Sequence, residues 1–209
     1  MRKSKLFASA FLLLTAHLIS AASLVSVDVD TSSIAGKTGS LDFQFNPGPL
    51  TTQNASVQIL NFSGGAFASP AQTAGDVTGG LLPSAVTINN TFVLNDHFEG
   101  FTFGKAITFN LSFSGPAITA PNGQATSTSI FALSAFSDAN GTIPSPISDS
   151  SGVVGTVTVN LDGTLTVKNL NSAAQPTPEP ASLLLLAGPL ALLFLSRKQR
   201  NTAEVSVKS

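Results

Sequence analysis

The sequence contains no cysteine, no tryptophan and no tyrosine, and charged residues occupy only 10% of its 209 positions. Without cysteine the chain can form no disulfide, no thiolate metal site and no cysteine nucleophile. The folded part must therefore be stabilised by burying apolar side chains. Phenylalanine, with 15 residues, is the aromatic residue available for that purpose.

Basic residues are scarce in the middle of the chain. Between residues 23 and 175 there are three lysines against nine acidic residues, a net charge of −6. An acidic segment without a basic patch is a poor partner for nucleic acid. The remaining bases cluster at the two ends of the chain, and they are Arg2, Lys3, Lys5, Arg197, Lys198, Arg200 and Lys208.

The first 22 residues have the pattern of a secretory signal peptide. A basic start is followed by an apolar stretch over residues 6–19 and by Ser20-Ala21-Ala22. Small residues at these positions predict cleavage after Ala22, so residues 1–22 form a signal helix that is removed. The alternative is a membrane helix that stays uncut, but the apolar stretch is short for a span.

The C-terminal region repeats the combination of apolar and basic residues. A polar, proline-rich linker over residues 175–180 is expected to stay extended and outside any sheet. The 15 uncharged residues 181–195 follow, and then Arg197, Lys198 and Arg200. As a helix, residues 181–195 reach about 22 Å, less than the ~30 Å hydrocarbon core. We predict a short transmembrane helix within residues 181–200 and a polar cytoplasmic tail over 201–209.

Both basic clusters belong on the cytoplasmic side of a membrane by the positive-inside rule. The segment between them, residues 23–174, therefore faces outward. The two ends of the chain agree on this orientation.

Pro178-Glu179-Pro180, the Leu-rich run and the basic cluster of Arg197, Lys198 and Arg200 together resemble the PEP-CTERM sorting signal. The resemblance implies recognition by an exosortase, a membrane cysteine transpeptidase of Gram-negative bacteria that make extracellular polysaccharide. It also implies a transient hold in the inner membrane before the protein reaches the cell surface. Residues 201–209 extend past the usual end of the pattern. An unprocessed C-terminal membrane helix is the alternative, whereas the basic cluster argues against a GPI signal.

The central segment alternates between apolar and polar residues, which is typical of strands. Gly64-Gly65 and Gly79-Gly80 act as turn signals, and Asp162-Gly163 predicts a two-residue hairpin turn. The pattern predicts an all-β body that forms a two-sheet antiparallel sandwich, either jelly-roll or immunoglobulin-like. The nine predicted strands cover residues 24–30, 41–46, 57–62, 85–94, 98–103, 107–113, 128–136, 153–161 and 164–170.

Residues suited to catalysis or metal binding are few. His97 is the only histidine after the signal segment, and we expect it in an exposed loop. A zinc site needs three or four ligands, and no second histidine is present to help. Asp138-Ala139-Asn140-Gly141 begins like a calcium loop but lacks the later Glu, so it predicts a turn. Asp28 and Asp30 share one face of a strand, which we expect to be solvated. We therefore predict no metal, no cofactor and no catalytic residues.

Two functions remain open for the body. The first is a non-catalytic surface or extracellular-matrix protein that an exosortase processes. The second is a module that binds extracellular polysaccharide. Sugar-binding surfaces usually present aromatic platforms, and here only phenylalanine can supply one.

Overall fold

The computed structural model describes residues 22–68, 70–170 and 177–178. The predicted signal helix, except for Ala22, lies outside these residues. So do residues 175 and 176 of the linker, the helix within 181–200 and the tail over 201–209. Of the predicted sorting and cleavage residues, Ala22 and Pro178 are described, whereas Glu179, Pro180, Arg197, Lys198 and Arg200 are not.

The described residues form a protein built from antiparallel strands, as the alternating pattern predicts. Every strand pair among them is antiparallel. A 3-10 turn at Ser32–Ile34 and a one-turn helix α1 at Pro116–Thr119 are the helical elements of this part of the chain. The strands are β1 (Ser23–Asp30), β2 (Thr38–Pro47), β3 (Ser56–Phe67), β4 (Gln72–Ala74), β5 (Val77–Gly79), β6 (Val86–Asn89), β7 (Asp96–Ser114), β8 (Ser129–Phe136), β9 (Val153–Val159), β10 (Leu165–Asn169) and β11 (Thr177–Pro178).

The strands are hydrogen-bonded in the order β10-β9-β8-β2-β7-β3-β6-β5. Strand β7 is the centre of this arrangement. Its first half pairs with β2 and β4, and its second half pairs with β1 and with the start of β3. The body is therefore organised around one long strand rather than around several equal ones.

The prediction of two separate strands over 98–103 and 107–113 is wrong, because both segments belong to the single strand β7. It runs without interruption for 19 residues. Glycines allow β7 and β3 to approach closely here, because a Cβ on Gly104 would lie 2.3 Å from the carbonyl oxygen of Gly64. A Cβ on Gly64, where φ is +115°, would lie 1.8 Å from the carbonyl oxygen of Ala106. Gly64-Gly65 is thus a register shift within β3 rather than the predicted turn.

Phenylalanine side chains of β2, β7 and β8 pack together in the core. The Phe43 ring of β2 packs edge-on against Phe109 in the second half of β7, with ring centroids 5.9 Å apart. Phe45 meets Phe113 in the same manner at 5.9 Å, and Phe113 meets Phe131 of β8 at 6.4 Å. Burial of one such side chain contributes about 2–3 kcal/mol, and its ring carries no polar atom that needs a partner.

One end of the body collects many strand ends, and we call it the lower end. The side-chain amide of Asn90, just after β6, donates to the Ser129 hydroxyl at the start of β8 at 2.7 Å. The Phe45–Phe113 contact lies at this end too. The lower end is defined by Ser23, Ser56, Asn89, Asp96, Ser114 and Ser129.

Two further expectations need correction. The strand predicted over 85–94 is limited to β6, because residues 90–95 form a loop around the buried side chain of Asn95. The β9–β10 hairpin is confirmed, but its turn has three residues instead of the predicted two. The backbone N–H of Asn160 donates to the backbone carbonyl of Thr164 and encloses residues 161–163. The third of them, Gly163, has a φ of +83°, a conformation that favours glycine.

Candidate functional site

His97 lies inside the protein and not in the exposed loop that the sequence suggested. It is the second residue of β7 and is 1% exposed. From residue 97 to residue 103 the odd-numbered side chains of β7 point into the core, so the strand turns His97 and Glu99 to the same side as Phe101. His97 lies opposite Phe43 of β2, and the two ring centroids are 6.3 Å apart.

His97 and Glu99 form a buried polar pair. The Nε2 atom of His97 lies 3.2 Å from Oε2 of Glu99, and Glu99 is 3% exposed. Burial lowers the pKa of His97 and raises the pKa of Glu99 to about 7, because each ionised form loses its hydration. Among the described residues, Nδ1 of His97 has no hydrogen-bond partner. A general acid or base must reach a substrate, and this pair is shielded from solvent.

A row of polar side chains follows the opposite face of β2. The Gln44 amide donates to the Asp42 carboxylate at 2.6 Å, and the Asn46 amide donates to the Gln44 side-chain oxygen at 3.0 Å. In turn, the backbone N–H of Asn95 donates to the side-chain oxygen of Asn46 at 2.7 Å. We call Asp42, Gln44 and Asn46 the outer row, because the even-numbered side chains of β2 point away from the Phe core.

Burial raises the pKa of two neighbouring carboxylates, Asp42 in the outer row and Asp96 beside it. Burial raises the pKa of Asp42 to about 6, and the nearby negative charge of Asp96 adds to the rise. Burial also raises the pKa of Asp96. One carboxylate oxygen of each, Oδ1, is buried without a hydrogen-bond partner in the described part of the chain. Each is therefore a buried acceptor that is left without a donor among the described residues.

A shallow cavity of about 360 Å³ lies beside the outer row. Its lining combines Asp96 and Phe98 of β7 with Gln72 of β4 and with Asn140 from the loop after β8. The strand register brings β4, β7 and β2 together at this cavity, because Gln72 pairs with Phe98 and Phe98 pairs with Asp42. A carboxylate, two amides and a phenylalanine ring offer both hydrogen bonds and an apolar surface.

Asp42, Gln44, Asn46 and Asp96 were not predicted to form a group. The signal was partly present, because alternation over residues 41–46 places three polar side chains on one face. The pairing of Asp96 with Gln44 depends on strand register between distant segments, which one sequence does not reveal.

A second cavity, of about 390 Å³, opens at the end of the body opposite the lower end. Lys37, Phe103 and Ser145 are among its lining residues. Ser145 is 3% exposed, and its hydroxyl has no hydrogen-bond partner among the residues that the structure describes.

The Asp138 loop is a turn, as predicted. The Asp138 carboxylate accepts hydrogen bonds from the backbone of Asn140, Thr142 and Ile143 and from the Thr142 hydroxyl. These bonds, that of Ile143 foremost, lower the pKa of Asp138. Asp28 and Asp30 are exposed on one face of β1, as expected. Within residues 22–68 and 70–170, no group of three or more potential metal-binding side chains occurs.

The two ends of the described chain meet at the lower end. Strand β1 begins at Ser23, directly after the predicted cleavage position at Ala22. Ser23 pairs with Pro178, the first residue of the predicted sorting motif, and Leu24 pairs with Thr177. This pairing corrects the expectation that the linker stays outside any sheet. Proline is tolerated there because β11 lies on an edge.

No helix among the described residues is long and apolar enough to cross a membrane. No family model matches the chain, and neither a curated protein nor a solved structure shows significant similarity to it. The outer row with its cavity and the adjoining chain ends are therefore the two features from which a function can be argued.

Proposed function

We propose that the protein is an exported bacterial surface or matrix protein with a non-catalytic body. In this proposal a signal peptidase removes residues 1–22. An exosortase-like membrane transpeptidase then cuts at Pro178-Glu179-Pro180. Until that cut, the apolar segment within residues 181–200 holds the chain in the inner membrane.

The observation that carries the proposal is the pairing of Ser23 with Pro178. Partners in neighbouring strands lie about 5 Å apart. The signal segment and the C-terminal apolar segment, which would both lie in the membrane, can therefore connect to the folded body at neighbouring positions. Only two residues lie between Pro178 and Ala181, and these three residue steps span at most about 10 Å. The apolar segment must begin close to the lower end, which also keeps the sorting motif close to a membrane enzyme.

We further propose that the body is a two-layer sandwich, with the fold of β7 at Gly104 separating the layers. The ring contacts of Phe43 with Phe109 and of Phe45 with Phe113 support it, because they join side chains of the two halves. Such a body is stable without disulfides. It suits a protein that acts outside the cell as a structural component.

The sorting step can be tested by replacing Pro178, Glu179 and Pro180 with alanine in cells that express the full chain. The matched control replaces Gln175 and Pro176 of the same linker with alanine. We expect the wild type and the control to leave the inner-membrane fraction, whereas the motif variant stays there. Release of the motif variant at the wild-type rate contradicts the proposal, as does permanent retention of the wild type.

The cavity beside the outer row favours a second candidate function, the binding of extracellular polysaccharide. Sugar hydroxyls would donate to Asp96, and Phe98 would offer an apolar ring surface to a sugar face. The test is binding of the mature protein to matrix polysaccharide. Asp96→Asn should weaken binding, and Asp28→Asn, an exposed acid on β1, is the control. Wild-type protein that binds no matrix polysaccharide excludes this function.

A further inference from the structure

Exposed apolar side chains are concentrated at the lower end of the body. In the described part of the chain, eight large apolar side chains are strongly exposed, and two of them, Leu81 and Ile143, lie elsewhere. The other six lie at or next to the lower end, on loops or at the start of β8. They are Leu50, Phe92, Val93, Leu94, Ile130 and Leu161.

Three of these side chains are consecutive and form the tip of one loop, which we call the apolar tip (residues 92–94). Val93 is 89% exposed, more than any other large apolar residue described. The buried Asn95 side chain fixes the loop by donating to the carbonyls of Phe92 and Phe45, at 2.7 and 3.1 Å. Its oxygen also accepts the backbone N–H of Asp76 at 3.0 Å. The apolar tip is thus held outward by a defined hydrogen-bond network.

The apolar tip lies at a definite distance from the chain end. From β11 the lower end runs through β1, β7 and β3 to β6, which precedes the tip. Four strand spacings of about 4.8 Å place the tip roughly 20 Å from Pro178. A membrane tether at Pro178 alone would leave the body free to swing, whereas a second contact 20 Å away fixes its orientation.

The positions of the three described lysines indicate what kind of contact the lower end can make with a membrane. Lys37 and Lys105 lie near the middle of β7, and Lys168 lies near the end of β10 that is remote from the lower end. The lower end therefore offers apolar area without a lysine among its described residues. The charged side chains at this end are carboxylates, among them Asp76 and Asp162, so contact with lipid would depend on apolar burial and not on attraction to lipid phosphates.

We propose that the lower end rests on the outer face of the bilayer, with the apolar tip inserted at the level of the lipid head groups. The inference rests on the proposed function, because the segment within 181–200 provides the first attachment. The apolar tip provides the second attachment and presents Pro178-Glu179-Pro180 to the membrane enzyme in one orientation.

The absence of tryptophan makes a direct test possible. Full-length chain carrying Phe92→Trp is reconstituted into phosphatidylcholine vesicles with brominated acyl chains, which quench a nearby indole. The matched control is Leu81→Trp, because Leu81 has the same 58% exposure as Phe92 but lies in a loop at the opposite end. A third variant, Leu192→Trp, reports insertion of the C-terminal segment itself.

We expect bromolipid to remove most of the emission of Phe92→Trp and of Leu192→Trp, and to leave that of Leu81→Trp unchanged, at low and high salt alike. Quenching of Leu192→Trp without quenching of Phe92→Trp overturns the docking of the tip and leaves the proposed function intact. Loss of quenching in both variants overturns the membrane hold together with the docking. A blue-shifted but unquenched Phe92→Trp means that a second copy covers the tip, and this also overturns the proposal.

Discussion

The two faces of strand β2 differ sharply although their residues alternate along one segment. Phe43 and Phe45 on the inner face are completely buried, and their rings pack against Phe109 and Phe113 of β7. On the outer face, Asp42, Gln44 and Asn46 form a hydrogen-bonded row beside a cavity. The inner face stabilises the fold through apolar packing, whereas the outer face carries a connected polar network.

The largest effect expected from breaking this contrast is on the inner face. Phe43→Ala removes a ring that contacts Phe62, His97 and Phe109, and it leaves a cavity where the two halves of β7 meet. We expect the free energy of unfolding to fall by about 3–5 kcal/mol. Urea denaturation followed by far-UV circular dichroism measures this loss. A loss below about 1 kcal/mol would mean that Phe43 is not in a packed core.

An intermediate effect is expected from Glu99, a carboxyl group of β7 that is buried in the core. Folding raises the pKa of Glu99 from 4.5 to about 7. Between pH 4.5 and about 7 the Glu99 carboxyl is protonated in the folded state but ionised in the unfolded state. The free energy of unfolding therefore falls as the pH rises through this range. Glu99→Gln cannot ionise, so we expect the variant to be more stable than the wild type by roughly 2 kcal/mol at pH 8.

The pH series supplies the control for Glu99→Gln. The difference from the wild type should shrink towards pH 4.5 and vanish below it, because the wild-type carboxyl is then protonated in both states. The lowered pKa of His97 acts in the opposite direction, since its contribution to stability is lost as the pH falls below 6.5. Thermal unfolding of both proteins from pH 4 to pH 8 measures the two trends. If the wild type and Glu99→Gln were equally stable at pH 8, this would contradict a buried Glu99 with a raised pKa.

The smallest effect is expected on the outer face. Gln44→Ala removes the amide that donates to Asp42 at 2.6 Å, without opening the core. We expect a loss of about 1 kcal/mol at pH 8 and a further rise in the pKa of Asp42, because its ionised form loses a donor. Carboxyl chemical shifts followed through a pH titration report the pKa. An unchanged Asp42 pKa would show that the outer row is not coupled in solution.

The contrast between the faces was predictable, whereas the site was only partly so. Alternation over residues 41–46 predicts which side chains are buried, and Asp162-Gly163 predicts the β9–β10 hairpin. The fusion of two predicted strands into β7 was not predictable, because it depends on the close approach of Gly64 and Gly104 from distant segments. Polar flanking residues suggested a loop at His97, but the register of β2 with β7 places it in the core.

The most direct test of the central claim is the intact mass of the protein isolated from the cell surface. Processing at both chain ends predicts a protein that begins at Ser23 and lacks the apolar segment, the basic cluster and the tail. The variant with alanine at 178, 179 and 180 should keep its C-terminal residues and remain with the membrane. A surface protein whose mass includes every residue through Ser209 would contradict the account.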